Sequence, residues 1–222
     1  MAPVVSTPDP VLHGSALPVL GFGVAEVAFL LSLAEGEQSA RSRDALAIGA
    51  ELSTAVLTAA GASSLLARGL VRVEDGRISP LAGAEYLAYV LAAAERWTRI
   101  GLFNEDAFEF AIYVQAREAS VLLQPAALST WFAVIREPGA TDADLLLDVV
   151  RTNVAAHPSS AVYLGTSTLD GTADFFVRAA GDDLWDTADV PEPGMQDRDP
   201  LVPTARLVEK LAALTALPVV QR

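Results

Sequence analysis

The spacing of apolar positions divides the chain into a helical first part and a strand-rich second part. Val24, Val27, Ala28, Leu31 and Ala34 recur at helical intervals and stop near Gly36, where the polar run Glu35 to Arg43 begins. Asp44 can cap a second helical region whose apolar face is Leu46, Leu52, Val56, Ala59 and Leu66. Gly49 and Gly61 leave room for a break or a close helix crossing, so the region reads equally as one long helix or two. Leu65, Leu66 and Leu70 close it, with Gly69 placed to end a helix in the left-handed conformation. Val71 and Val73 then alternate with Arg72, Asp75-Gly76 tolerates the positive φ of a tight turn, and Ile78 returns toward the interior, which predicts a short hairpin. Ser79-Pro80 marks the entry to a further helix through Leu87, Leu91 and Ala94, up to Arg96. Helix, helix, wing, helix is the order of a winged helix.

From Trp97 the period changes. Ile100 to Phe103, Phe108 to Gln115, Ser120 to Gln124 and Thr130 to Ile135 are short runs of aromatic and β-branched residues, which predict an antiparallel meander. Glu118-Ala119 supplies a turn, Pro125 punctuates the next connection, and Glu137-Pro138-Gly139 closes the run. Thr141 followed by Asp144 has capping-box spacing for a helix with Leu145, Leu146, Val149 and Val150 inward, ending at Pro158. Ala161 to Ser167 and Ala173 to Ala179 flank the turn Leu169 to Thr172. The acidic segment 182–203 lacks a period and reads as a surface loop. Thr204 can cap a last helix with Leu207, Leu211 and Leu214 on one stripe and Val208 and Thr215 beside it. That stripe serves either intrachain packing or pairing with a second copy, which leaves room for a homodimer. The fold class expected is α+β: an N-terminal arm over 1–22, a winged-helix-like helical unit over 23–96, and an antiparallel sheet with flanking helices over 97–222, as two lobes or one continuous domain.

Composition narrows the function. A hydrophobic fraction of 52% over 222 residues is ample for a packed core. The net charge is -13 with Lys210 the single lysine, which disfavours nucleic acid as a partner because such binding rests on phosphate neutralisation. Cysteine is absent, so the chain has no disulfide, thiolate metal ligand or thiol nucleophile. The first residues lack a basic region and are broken by Pro3, Pro8, Pro10 and Pro18, unlike a signal peptide. The apolar stretch Val24 to Ala34 is interrupted by Glu26 and Ser32 and falls well short of the roughly 20 residues of a membrane span. These features predict a soluble cytoplasmic protein.

Candidate chemistry is sparse. His13 and His157 are isolated beside prolines, and Asp182, Asp183 and Asp186 form an acidic turn without the spacing of a calcium loop. No phosphate-binding loop occurs, Gly21-Phe22-Gly23 is a fragment of a dinucleotide fingerprint better read as a helix entry, and no serine lies in G-x-S-x-G. Glu105-Asp106 is an adjacent acidic pair near a turn, and Tyr113, Trp131 and Phe132 suit a core more than a ligand pocket. No catalytic, cofactor-binding or metal-binding residue is assigned, and the chain reads as a non-enzyme. The segment Glu51 to Leu66 offers few groups for base readout, leaving Arg68, Arg72 and Arg77 as the nucleic-acid contacts of a regulator, if there is one.

Two resemblances attach to these residues. LARGLVRVEDGRISPLAGAEYL, Leu66 to Leu87, is similar to the wing of MarR-type regulators. The wider order of helices, an ARGLV turn with a short hairpin, a long helix, a meander, a helix, a second hairpin and a terminal helix resembles the EspG-like accessory proteins of type VII secretion in actinobacteria. The chain departs from that pattern in its relative shortness and its acidic segment. The second resemblance implies an acidic, cytosolic, non-catalytic chaperone that binds helical secretion substrates, with no cofactor. The strands Phe108 to Gln124 and Thr130 to Ile135 would then present a sheet surface to an apolar helix. The alternative is a winged-helix transcriptional regulator with a ligand-sensing C-terminal lobe.

Overall fold

The computed structural model describes residues 19–105, 107–136, 139–190 and 197–217. Most of the expected N-terminal arm with His13, together with Asp106, Glu137, Pro138 and residues 191–196 of the acidic segment, lies outside the described residues. The chain is α+β. It begins with β1 (Val19–Gly23), then α1 (Val24–Ser32), α2 (Glu37–Ala45) and α3 (Ala55–Ala67). The hairpin β2 (Val71–Glu74) and β3 (Arg77–Pro80) and the helix α4 (Ala82–Ala92) complete the first part. There follow β4 (Ala94–Phe103), β5 (Phe108–Ala116), β6 (Ser120–Ala126) and β7 (Thr130–Ile135), then α5 (Asp142–Ala156). The chain continues through β8 (Ala161–Ser167), β9 (Thr172–Gly181), β10 (Leu184–Val190) and β11 (Asp197–Pro203) to α6 (Thr204–Thr215).

Nine of these strands form one antiparallel sheet in the order β1-β7-β6-β5-β4-β8-β9-β10-β11. Two four-stranded meanders, β4 to β7 and β8 to β11, join along β4–β8. Side chains alternate across a strand, so the sheet has two faces, and here each carries a core. On one face Phe22, Trp97, Ile112, Val114, Leu123 and Trp131 pack under α1 to α4. On the other Ile100, Tyr113, Leu122, Val134, Leu164 and Phe175 pack under α5 and α6.

Several local expectations are met. Asp75 and Gly76 both have positive φ at the tip of the β2–β3 hairpin. Thr141 Oγ1 accepts from the Asp144 N–H at 3.1 Å and Asp144 accepts from the Thr141 N–H at 2.8 Å, the reciprocal capping box at the start of α5. Leu207 and Leu211 are fully buried in the chain's own core, so that stripe is not available to pair with a second copy.

Other expectations are corrected. Residues 19–22, read as part of an arm, form with Gly23 the edge strand β1 on β7, and Gly23 is the N-cap of α1. The polar run after α1 forms helix α2, while the second helical region holds a short 3-10 turn (Ala50–Leu52) and one α-helix, α3, capped by Thr54 rather than Asp44. Val56 and Leu66 face solvent on α3, which buries Gly61 and Leu65 instead. Ser79 and Pro80 end β3, with Leu81 as the N-cap of α4. The described parts of segment 182–203 form β10 and β11 rather than a loop: Trp185, Thr187 and Val202 turn inward, Asp186 lies on the opposite face, and Asp189 and Asp199 meet Lys210 of α6. β11 is an edge strand, where prolines cost no internal hydrogen bond.

The helical layer is pinned to the sheet by two polar links. Glu26 is buried yet accepts from Ser64 Oγ at 2.6 Å, from Arg68 Nη1 at 2.6 Å and from the Gly23 N–H at 3.0 Å. Trp97 Nε1 donates to Ser42 Oγ at 3.0 Å, and that hydroxyl donates to the Leu91 carbonyl at 2.6 Å. Both satisfy groups that would be costly to bury unpaired.

The α1–α3 crossing depends on Gly61, because a Cβ there would sit 1.9 Å from the Ala25 carbonyl oxygen. Gly61→Ala is therefore expected to destabilise the fold by about 1–3 kcal/mol or more, through overpacking that outweighs any gain in helix propensity. A lower denaturation midpoint with an intact far-ultraviolet spectrum is the expected result; an unchanged midpoint refutes the close crossing.

Candidate interaction surface

The helical layer covers only part of its face. It lies over β1, β7, β6 and the adjoining halves of β5 and β4, and leaves the rest of β4 and β5 with β8 to β11 open. Strand register shows what this open region presents. Phe103 pairs with Phe108 and Ala161, Gly101 with Phe110 and Tyr163, and Tyr163 with Phe176, so all these residues share the helix-bearing side. They form an aromatic ribbon across four strands. The Phe103 and Phe108 rings are 5.1 Å apart, Tyr163 and Phe176 are 5.0 Å apart, and Phe110 meets the edge of Trp131 at 6.2 Å.

Two glycines form the ribbon's floor. A Cβ on Gly165 would lie 2.2 Å from the Tyr163 hydroxyl, and one on Gly101 would press on the Phe103 and Phe108 rings at 3.3 Å. Their absence of side chain lets Tyr163 lie across the sheet and donate to Asp174 Oδ1 at 2.6 Å. The four phenylalanines remain exposed, Phe108 most of all at 61%. Groups of aromatic side chains left in water mark sites of association more often than they mark chance.

Charges lie beyond the ribbon. Arg178 donates to Asp186 Oδ2 at 2.8 Å across β9 and β10, and this bond holds the Asp186 carboxyl below the usual carboxylate range. Phe176, Arg178, Asp186, Ala188, Arg198 and Pro200 line an open depression of about 510 Å³. Among the described residues no group of three or more His, Asp or Glu side chains is disposed to hold a metal. Asp183 instead faces Arg151 at 3.5 Å and accepts from Thr204. Glu105 accepts from Ser159, and His157 is the C-cap of α5.

The residues named for nucleic-acid contact are dispersed in role. Arg68 donates to Glu26 and to the Gly21 carbonyl at 2.9 Å and stacks over the Phe22 ring at 5.7 Å, so it holds β1 to the helices. Arg72 lies 3.5 Å from Glu74 on the exposed hairpin, and Arg77 is exposed on the opposing strand. Of the sheet surface expected at Phe108 to Gln124 and Thr130 to Ile135, Ile112 to Ala116, Ser120 to Leu123 and Trp131 with Ala133 and Val134 are interior; Phe108 and Phe110 are exposed. Tyr113 and Trp131 pack in the cores, as their residue types suggested. The alternation of Phe108 with Phe110 was a visible signal, but joining it to Phe103, Tyr163 and Phe176 required the pairing of β4 with β8.

Burial, then the hydrogen bond to Asp174, pushes the Tyr163 phenol up to about 12 from its ordinary 10. A raised folded-state value means the stabilisation is full below pH 10 and disappears as pH rises toward 12. Tyrosinate absorbance is expected to show one group ionising in that range that Tyr163→Phe removes. A Tyr163 phenol that ionises at its ordinary value contradicts the packed hydroxyl.

No helix among the described residues is long and apolar enough to cross a membrane. No protein-family model matches the chain, and no curated protein matches it. Among solved structures, it matches that of the Mycobacterium tuberculosis type VII secretion system chaperone EspG5 in complex with the PE25-PPE41 dimer. The TM-score is 0.51 and identity 10%, over 92% of this chain and 99% of the other. The architecture, a broad sheet with helices on both faces, is thus similar to that of the EspG5 secretion chaperone.

Proposed function

We propose that this chain is a non-catalytic cytosolic chaperone or adaptor that binds an apolar helical protein, of the kind exported by type VII secretion, on the open half of its sheet. The observation that carries this reading is the aromatic ribbon of Phe103, Phe108, Phe110, Tyr163 and Phe176, left uncovered where the helical layer ends. Each phenylalanine buried by a partner contributes on the order of 1.5–3 kcal/mol, so three or four suffice for a specific complex once association entropy is offset. The similar fold of EspG5, solved with the PE25-PPE41 dimer, supports the same class of partner.

In this reading the winged-helix-like unit, residues 23–96, is scaffold. Its Arg68 is engaged by Glu26, and its helices stop at the boundary of the ribbon. The net charge of -13 keeps a protein with an exposed aromatic surface soluble before its partner arrives and gives polyphosphates no purchase.

The test is co-expression of the tagged chain with the small helical proteins encoded beside it, followed by affinity capture and mass spectrometry. A stoichiometric helical partner is expected, and Phe103→Glu with Phe176→Glu should weaken its capture by at least about tenfold, because each change places a charge against an apolar contact. A partner that is not helical, or capture indifferent to both substitutions, defeats the proposal.

A further inference from the structure

The sheet is split internally between β5 and β6. Their ladder runs from Gln115–Ser120 to Ile112–Leu123 and ends there, although β5 continues to Phe108 and β6 to Ala126. Pro125 is the reason. The turn bond from the Ala116 N–H to the Ala119 carbonyl sets the alternation: 116/119, 114/121 and 112/123 are hydrogen-bonded pairs, and the next is Phe110 with residue 125. Pro125 has no N–H to give to the Phe110 carbonyl, so the pair loses one of its two bonds and the ladder stops.

Beyond that point the strands part around a notch of about 190 Å³ lined by Phe108, Glu109, Phe110, Gln124, Pro125 and Phe132 among others. The same alternation turns the N–H and C=O of Phe108 and Phe110 toward the notch, because Glu109 and Ala111 bond to β4 on the opposite side. Among the described residues no strand pairs with β5 there. The notch therefore combines main-chain groups of Phe108 and Phe110 that lie beyond the end of the β5–β6 ladder, aromatic rings and one charged lining residue, Glu109.

We propose that this notch is a strand-addition site that takes an extended segment of a protein partner, apolar at alternate positions and basic at its flanks. Only an extended backbone supplies donors and acceptors at the spacing Phe108 and Phe110 present; a helix has none to offer. Alternate apolar side chains meet Phe108 and Phe110 on one face of the sheet, and the basic flank complements Glu109 on a chain of net charge -13. This site is distinct from face-on docking of a helix over the ribbon, since it uses main-chain groups in the plane of the sheet.

The probe is a capped peptide, Lys-Val-Thr-Val-Thr-Val-Lys, added to the full chain while amide exchange is followed by nuclear magnetic resonance. Free protein is expected to exchange the Phe108 and Phe110 amides much faster than the Ile112 amide, and saturating peptide should slow both. Pro125→Val restores the N–H that the Phe110 carbonyl lacks, so the ladder should extend to the 110/125 pair, protect the new residue 125 amide without peptide, and weaken peptide binding by at least about tenfold, the equivalent of losing one or two net backbone hydrogen bonds. A peptide methylated on alternate backbone nitrogens should fail to bind wild type.

Protected Phe108 and Phe110 amides in free wild type, no change with peptide, or equal binding of the methylated peptide each overturn the proposal. The wild-type measurements decide it even where Pro125→Val does not fold. Phe176→Glu separates the two surfaces: it should leave peptide binding intact while weakening the helical partner.

Discussion

The structure depends on a single constraint: one antiparallel sheet carries apolar side chains on both faces. In the middle of β5 and β6 successive residues from Ala111 to Ala116 and from Ser120 to Leu123 are buried, which is the signature of a strand covered above and below. A sheet of this kind cannot stand in water with one face bare, so the helices before β4 must fold onto one side while α5 and α6 close the other. The coverage is unequal. α5 and α6 protect the face under Leu164, Phe175 and Trp185 as far as β11, whereas α1 to α4 stop near β4. The candidate surface is the remainder of that mismatch, and its aromatic content identifies it as more than a solvated sheet face.

The polar links in the helical layer follow from the same constraint. Bringing β1 and α1 against α3 buries the Glu26 carboxylate, and a buried carboxylate demands donors. Ser64, Arg68 and the Gly23 amide provide them, which is why an arginine at the end of a helix before a hairpin is structural here. The local pattern around Arg68 suggests a DNA reader only while its partner, 42 residues away in sequence, is out of view.

Legibility in the sequence varied with how local the determining interaction is. The strands of the first meander, the Thr141–Asp144 capping box and the Asp75-Gly76 turn are decided by residues a few positions apart, and their patterns were readable. β1 was not, because it is short and held by pairing with β7 far along the chain, and β10 and β11 were not, because their acidic and proline residues mask the strand alternation. β10 needs only Trp185 and Thr187 to point inward, and the aspartates of β10 and β11, some of them held by Lys210 of α6, resemble a polar loop when read in isolation. The aromatic ribbon is illegible for a related reason: an aromatic residue in a strand fits a core as well as a surface, and only the register across β5, β4, β8 and β9 brings five of them together on an uncovered face.

Pro125 shows how one residue can set two properties of a sheet at once. Placed where its missing N–H faces β5, it ends the ladder after Ile112–Leu123 while the β6–β7 pairing continues past it to Ala126–Thr130. The adjoining part of β5 is thereby left with one edge bonded to β4 and the other open, in the interior of the sheet. An unpaired edge invites indiscriminate pairing, and natural sheets limit this by making such edges short. Here the open edge covers only Phe108 to Ala111 and ends where the ladder resumes, so it admits a brief extended segment rather than a long one. Phe108 and Phe110 thus face two directions: their rings belong to the exposed ribbon, and their main-chain groups belong to the notch beside it. A partner that lays a helix on the ribbon and an extended flank in the notch would engage both through the same two residues, with specificity set by geometry that neither a helix nor a strand alone could satisfy.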